Sequence, residues 1–161
     1  HLNGNLLTGD AIYYDPQNPF LGSSLTFGIG ATVEPGIKLN IGFDYLYTDL
    51  RQNQSSAVPS VASAVSEGKV YTVNIYNFRT TYQFNKYFFV RGILRYDDLQ
   101  EKLLTDFLAS FTLIPGTVVH LGYGSLHLKN QWQNNMWVPG QGNLIRMRQG
   151  LFFKASYLWR L

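Results

Sequence analysis

Between residues 143 and 161 apolar and polar side chains alternate almost without interruption. Ile145, Met147, Leu151, Phe153, Ala155, Tyr157, Trp159 and Leu161 interleave with Arg146, Arg148, Gly150, Lys154, Ser156 and Arg160. Successive side chains of a β-strand point to opposite sides, so this stretch has one aromatic-rich face and one cationic face. The same two-residue period returns along most of the chain. Leu25, Phe27, Ile29, Ala31 and Val33 oppose Thr26, Gly28, Gly30, Thr32 and Glu34, and Ile37, Leu39, Ile41, Phe43, Tyr45 and Tyr47 oppose Lys38, Asn40, Gly42, Asp44 and Thr48. Further on, Tyr76, Phe78, Tyr82 and Phe84 oppose Asn77, Arg79 and Thr81, and Val90, Leu94 and Tyr96 oppose Arg91, Arg95 and Asp97. Phe107, Ala109, Phe111 and Leu113 then stand against Asp106, Ser110 and Thr112, and Val119, Leu121 and Tyr123 against His120, Gly122 and Gly124. About eight strands are expected, the first, near 6–14, being the least regular.

Two-residue turns are expected at Pro35-Gly36, Asn85-Lys86 and Pro115-Gly116, and long loops near 15–23, 49–69, 97–102 and 129–144. Short and long connections alternate, which in an up-and-down meander sends all tight turns to one end and all long loops to the other. This is the pattern of periplasmic turns and extracellular loops in an outer-membrane barrel. Residues 1–161 are therefore expected to form one antiparallel, up-and-down transmembrane β-barrel unit in the bacterial outer membrane, with Leu161 on the periplasmic side. Charged residues are 14% of the chain against roughly 25% in soluble domains, and aromatics are 16%. No run approaches the ~18 apolar residues of a transmembrane helix, which excludes a helical membrane protein. Segment 52–68, rich in Ser, Ala and Val, reads as a surface loop, with a short helix over the barrel mouth as its alternative. The apolar Met136, Trp137, Val138 and Pro139 suggest a loop that packs on a partner, on the lipid boundary or on its own barrel.

The face expected to meet lipid holds Phe27, Ile41, Phe43, Tyr45, Phe78, Leu94, Phe107, Phe111, Leu121, Phe153, Tyr157 and Trp159. The face expected to line the lumen holds Glu34, Lys38, Asp44, Arg79, Arg91, Arg95, Asp97, Asp106, Arg146, Arg148, Lys154 and Arg160. Its mixed signs suggest a cross-strand lattice, for example Asp106 with Arg91 or Arg95, or a charged pore lining. A hydrolase is the sharpest catalytic alternative, because His120, Ser125 and His127 lie close in sequence. On one regular strand His120 and Ser125 face opposite sides, and no carboxylate is placed to orient His127. The histidines lack a third ligand at metal-binding spacing, and Gly28 and Gly30 precede no helix, so neither a metal nor a phosphate loop is expected. The chain has no cysteine, which removes disulfides and thiolate chemistry, and no catalytic residue or cofactor is expected. Scattered Lys and Arg with a net charge of +3 give no basic stripe for nucleic acid. Lys154, Ser156, Trp159 and Leu161 have the spacing of a C-terminal signal read by barrel-assembly machinery, with Ser and Leu where Gly and Phe are usual.

Four segments carry a family resemblance: Gly9-Asp-Ala-Ile-Tyr-Tyr-Asp-Pro with Asn18-Pro-Phe-Leu-Gly, Leu103-Leu-Thr-Asp-Phe-Leu-Ala-Ser-Phe with Ile114-Pro-Gly-Thr, His120-Leu-Gly-Tyr-Gly, and the final Gly150-Leu-Phe-Phe-Lys-Ala-Ser-Tyr-Leu-Trp-Arg-Leu. In these the chain resembles the uncharacterised outer-membrane β-barrel family whose members carry an N-terminal family 9 carbohydrate-binding-like domain. The resemblance implies that these strands are the C-terminal part of a larger barrel, with that domain and earlier strands lying before His1. It carries over no catalytic residue. The expected role is a non-enzymatic barrel segment serving transport, or a membrane scaffold for a surface or periplasmic complex. Its expected partners are outer-membrane lipid, the assembly machinery and other envelope proteins met through loops 49–69 and 129–144. The alternative is an outer-membrane lipid-modifying enzyme using His120 or His127.

Overall fold

A computed structural model describes residues 1–14, 19–52, 68–114, 116–133, 136–139 and 142–158. All its regular structure is β: β1 (Leu2–Tyr13), β2 (Phe20–Gly36), β3 (Leu39–Gln52), β4 (Lys69–Asn85), β5 (Phe88–Asp97), β6 (Lys102–Ile114), β7 (Thr117–Gln133), β8 (Met136–Pro139) and β9 (Asn143–Ser156). Consecutive strands pair antiparallel from β1 to β8, and β9 returns along β7. The short β8 caps the same edge of β7 that β9 follows, so up-and-down ladders of eight long strands make a single sheet. Among the described residues β1 pairs only with β2 and β9 only with β7, and the sheet is open.

The period-two pattern decides which residues share a face, because directly opposed residues on paired strands lie on the same side. Leu2, Ala31, Phe43, Phe78, Leu94 and Thr105 form one transverse row, and Gly4, Ile29, Tyr45, Tyr76, Tyr96 and Leu103 the next. On the other face, Asn3, Gly30, Asp44, Asn77, Arg95, Leu104, Leu126 and Arg148 form a row. No second layer covers the apolar face among the described residues. The one buried apolar side chain among the described residues, Leu50 at 3% exposure, is on the polar face, whereas on the apolar face Leu6 stands at 67% and Phe153 at 69%. Burying such side chains is worth about 1.5–3 kcal/mol each.

The connections depart from the sequence reading in three ways. The first two tight turns sit two and one residues further on, at Ile37-Lys38 and Lys86-Tyr87. Pro35, which has no N–H to give the ladder, lies in the irregularity between Val33 and Gly36 and stays within β2. Asn85 Oδ1 accepts the backbone N–H groups of Tyr87 (2.8 Å) and Phe88 (3.0 Å), fixing the turn after Asn85. Lys38 therefore belongs to a turn and not to an inward strand row.

The connection expected at 97–102 is a tight turn, in which Asp97 Oδ1 accepts the N–H of Gln100 at 3.1 Å and Glu101 adopts φ 46°. The loop expected at 129–144 is largely strand: β7 runs on to Gln133 and β8 pairs back onto it. Likewise β2 already begins at Phe20 and β3 continues to Gln52. The expectation for 53–67 lies outside the described residues, as do Trp159, Arg160 and Leu161 of the terminal strand.

Candidate functional site

Asn3, Asn5, Asp44, Leu46, Asn77 and Arg95 surround a hollow of about 320 Å³ on the polar face, with Gly28 and Gly30 at its floor. Glycines here leave room for neighbouring polar side chains. A Cβ at position 30 would lie 2.6 Å from Asn3 Oδ1 and 2.8 Å from Asp44 Oδ1, and one at position 28 would overlap the Asn5 amide. Gly42 likewise leaves room for the Arg79 guanidinium, with Nη2 at 3.4 Å from where its Cβ would be. Asp44 accepts a hydrogen bond from Asn77 Nδ2 at 3.2 Å and faces Arg79 Nη2 at 3.8 Å. Both members of that ion pair are about half exposed, so its worth is ~0–1 kcal/mol. Arg95 forms no ion pair among the described residues and is the free cation of the hollow.

The expected lattice exists around Asp44 but not around Asp106. Asp106 opposes Ile93, diagonal to both Arg91 and Arg95, and forms no ion pair among the described residues. Its carboxylate lies over Gly124, where a Cβ would stand 2.7 Å from Oδ1. The glycine opposite gives Asp106 a place that needs no salt bridge. Glu34 accepts from Asn40 Nδ2 at 2.6 Å at the short-turn end, and Arg91, Asp97, Arg148 and Lys154 keep to the polar face by register.

Arg146 does not. Along β7, Leu126 opposes Arg148 but His127 opposes Arg146, so Met147 is an extra residue in β9. Such a bulge reverses the alternation on one side of it. Arg146 consequently shares the face of His127 and Tyr123, the apolar one, while Ile145 opposes Leu128 on the polar face. Met147 also points to the polar side, where its sulfur accepts from Asn130 Nδ2 at 3.7 Å.

The two histidines are not brought together. His120 opposes Ser110 and Lys154 on the polar face, and His127 lies on the other. Ser125 is buried and its hydroxyl shares a 2.6 Å hydrogen bond with that of Thr105, not with a histidine. Each imidazole has a buried Nδ1 without a hydrogen-bond partner among the described residues. No group of three metal-ligating side chains occurs among the described residues.

The apolar face carries two aromatic strips. Tyr45, Tyr76 and Tyr96 follow one another at 5.0 and 6.4 Å between ring centroids. Towards the short turns, Tyr82, Phe84, Phe88 and Phe111 do so at 4.7, 5.0 and 6.2 Å. Lys86 Nζ lies 4.8 Å from the Tyr87 ring just beyond this second strip. Past Tyr47 the same face turns polar: Asp49, only 3% exposed, accepts from Arg51 Nε and Thr72 Oγ1, each at 2.7 Å. The sequence reading places Asp49 and Arg51 of this cluster in the expected 49–69 loop and Thr72 on a strand. Its signal was present in the chain, since Asp49 and Arg51 continue the spacing of Tyr45 and Tyr47 on one strand face.

The hydrogen bonds from Arg51 and Thr72 hold the Asp49 carboxyl below the ordinary carboxylate range. A depressed folded-state value contributes stability that is present above the unfolded value near 4 and is lost as pH falls through the folded one. Asp49 should therefore titrate late in acid in a carboxyl-carbon NMR titration, and Arg51→Gln should raise its midpoint. An unchanged midpoint in that variant would assign the shift elsewhere.

Comparison with family models, curated proteins and solved structures found no match for this chain.

Proposed function

We propose that this chain is a wall segment of an outer-membrane β-barrel, with hydrocarbon against its apolar face and water against its polar face, and that the barrel passes or holds hydrophilic solutes. The observation that carries the reading is the distance between the aromatic strips. Along β4 the strips are separated by Tyr76 to Phe84, nine residues or roughly 26 Å at ~3.3 Å per residue, within reach of the ~9–11 residues of a tilted transmembrane strand. Aromatic girdles at both margins of a ~25 Å apolar band are how such barrels meet the two membrane interfaces.

The glycine-floored hollow favours transport over a filled scaffold, because narrow barrels pack their interiors with side chains. The outer edges of β1, 12 residues long, and β9, 14 residues long, have no strand partner among the described residues, and further strands of a larger barrel would pair there. This accords with the resemblance to the C-terminal barrel part of the family with a carbohydrate-binding-like domain. Lys154 and Ser156, with Trp159 and Leu161, would be the residues presented to the assembly machinery. No step of chemistry is assigned to His120 or His127.

Single tryptophans test the two faces. In vesicles whose acyl chains carry bromine, Phe43→Trp should be quenched strongly and Leu46→Trp, three residues on but facing the hollow, should not. Equal quenching at both positions, or a monomer that folds in water and shields Phe43→Trp without lipid, would overturn the reading. Liposome swelling with sugars then separates an open pore from a closed wall.

A further inference from the structure

We propose that His127 and Arg146, with the hydroxyls of Ser125 and Thr105 one row towards the short turns, form an outward-facing site for the phosphate of a lipid headgroup. The site rests on the membrane reading above and adds a ligand to the outer surface. The Met147 bulge takes Arg146 out of the polar face and sets it opposite His127. Bulges re-aim individual side chains, and here the side chain is a cation placed on the face that carries the aromatic strips.

Its level on that surface suits a headgroup. His127 opposes Leu103, which opposes Tyr96, which opposes Tyr76 and so leads to Tyr45. Arg146 thus stands in the row of the aromatic strip on the long-loop side. A charge facing the bilayer midplane is costly, but at the interface it costs little, so only a lipid's polar part lies within reach of this row. The nearest carboxylate along the rows, Glu101, is already held by Lys129 Nζ at 3.3 Å. Arg146 forms no ion pair among the described residues and is exposed.

The recognition chemistry follows from the groups present. A guanidinium presents parallel N–H donors that match two phosphate oxygens. His127, whose buried Nδ1 has no hydrogen-bond partner among the described residues, lies on the same face, and of the Ser125 and Thr105 hydroxyls the one that accepts the other's proton keeps its own to donate. Tyr123 already donates to Gln149 Oε1 at 3.2 Å, which orders that flank of the site.

The test uses the chain refolded in a maltoside detergent, which has no phosphate, and titrated with phosphatidylglycerol while bound lipid is counted by native mass spectrometry. Diacylglycerol with the same chains is the phosphate-free probe. Phosphatidylglycerol should be retained and diacylglycerol not. Arg146→Gln should weaken retention about five- to tenfold, and His127→Ala should weaken it too, whereas Arg148→Gln, two residues on but across the bulge, should leave it unchanged. Equal retention of the two lipids, or equal losses in Arg146→Gln and Arg148→Gln, would overturn the site while leaving the membrane reading intact. A chain that fails to float with vesicles overturns both.

Discussion

Phe78→Lys should destabilise the refolded chain in a bilayer by about 2–4 kcal/mol, while Arg79→Leu, one residue further along β4, should change stability far less. Phe78 lies opposite Phe43 and Leu94 inside the apolar band, two residues from Tyr76 of one strip and four from Tyr82 of the other. An ammonium at that depth must either be dehydrated or draw water inward. Arg79 is half exposed on the other face, in a 3.8 Å pair of low worth, so its loss removes little. The contrast separates the two environments sharply. In water, with the same sheet exposed, Phe78→Lys would be neutral or favourable, because it replaces a partly exposed ring by a solvated cation. Urea titration of vesicle-refolded protein, followed by the heat-dependent mobility of folded barrels on gels, measures both variants. A null effect for Phe78→Lys in vesicles would place water against that row.

Gly22→Ala should cost about 1–3 kcal/mol, and Gly150→Ala almost nothing. A Cβ at position 22 would stand 2.5 Å from the Arg51 carbonyl oxygen and 3.3 Å from its carbon. These are backbone atoms on the adjacent strand, so β2 and β3 would have to move apart or slip where they pair near Gly22 and Gln52. At Gly150 nothing lies within 4 Å of the added methyl, although that glycine also sits inside a strand. Gly30→Ala is a third kind of case. The atoms it would meet are the ends of Asn3 and Asp44, which can swing away, so its effect should appear in the shape of the hollow before it appears in stability. Denaturation midpoints of the three variants under one condition give the comparison. Equal midpoints for Gly22→Ala and Gly150→Ala would show that the β2–β3 contact is looser than described.

The two faces of the sheet were legible because a strand's side-chain period is local: Phe43 and Asp44 must point apart whatever lies beyond them. That is why Phe27, Ile41, Phe43, Tyr45, Phe78, Leu94, Phe107, Phe111, Leu121 and Phe153 fall on one side, and Asp44, Arg79, Arg91, Arg95, Asp106, Arg148 and Lys154 on the other, as the alternation predicts. Turn positions were legible only approximately. Pro35-Gly36 looks like a turn in isolation, yet its place depends on what β3 offers for pairing, and Asn85 closes a turn that begins after it.

Sequence alone therefore determined the all-β, up-and-down antiparallel architecture and the two-faced character of nearly every strand, since both follow from residue spacing and chain direction. Tertiary structure alone decided the register. An extra residue such as Met147 is defined only against the strand it pairs with, and it moved Arg146 to the other face. Register also set Asp106 over Gly124 in place of an arginine and formed an open hollow between Asn3 and Arg95, residues far apart in the chain that only pairing across β1 to β5 can bring to one row.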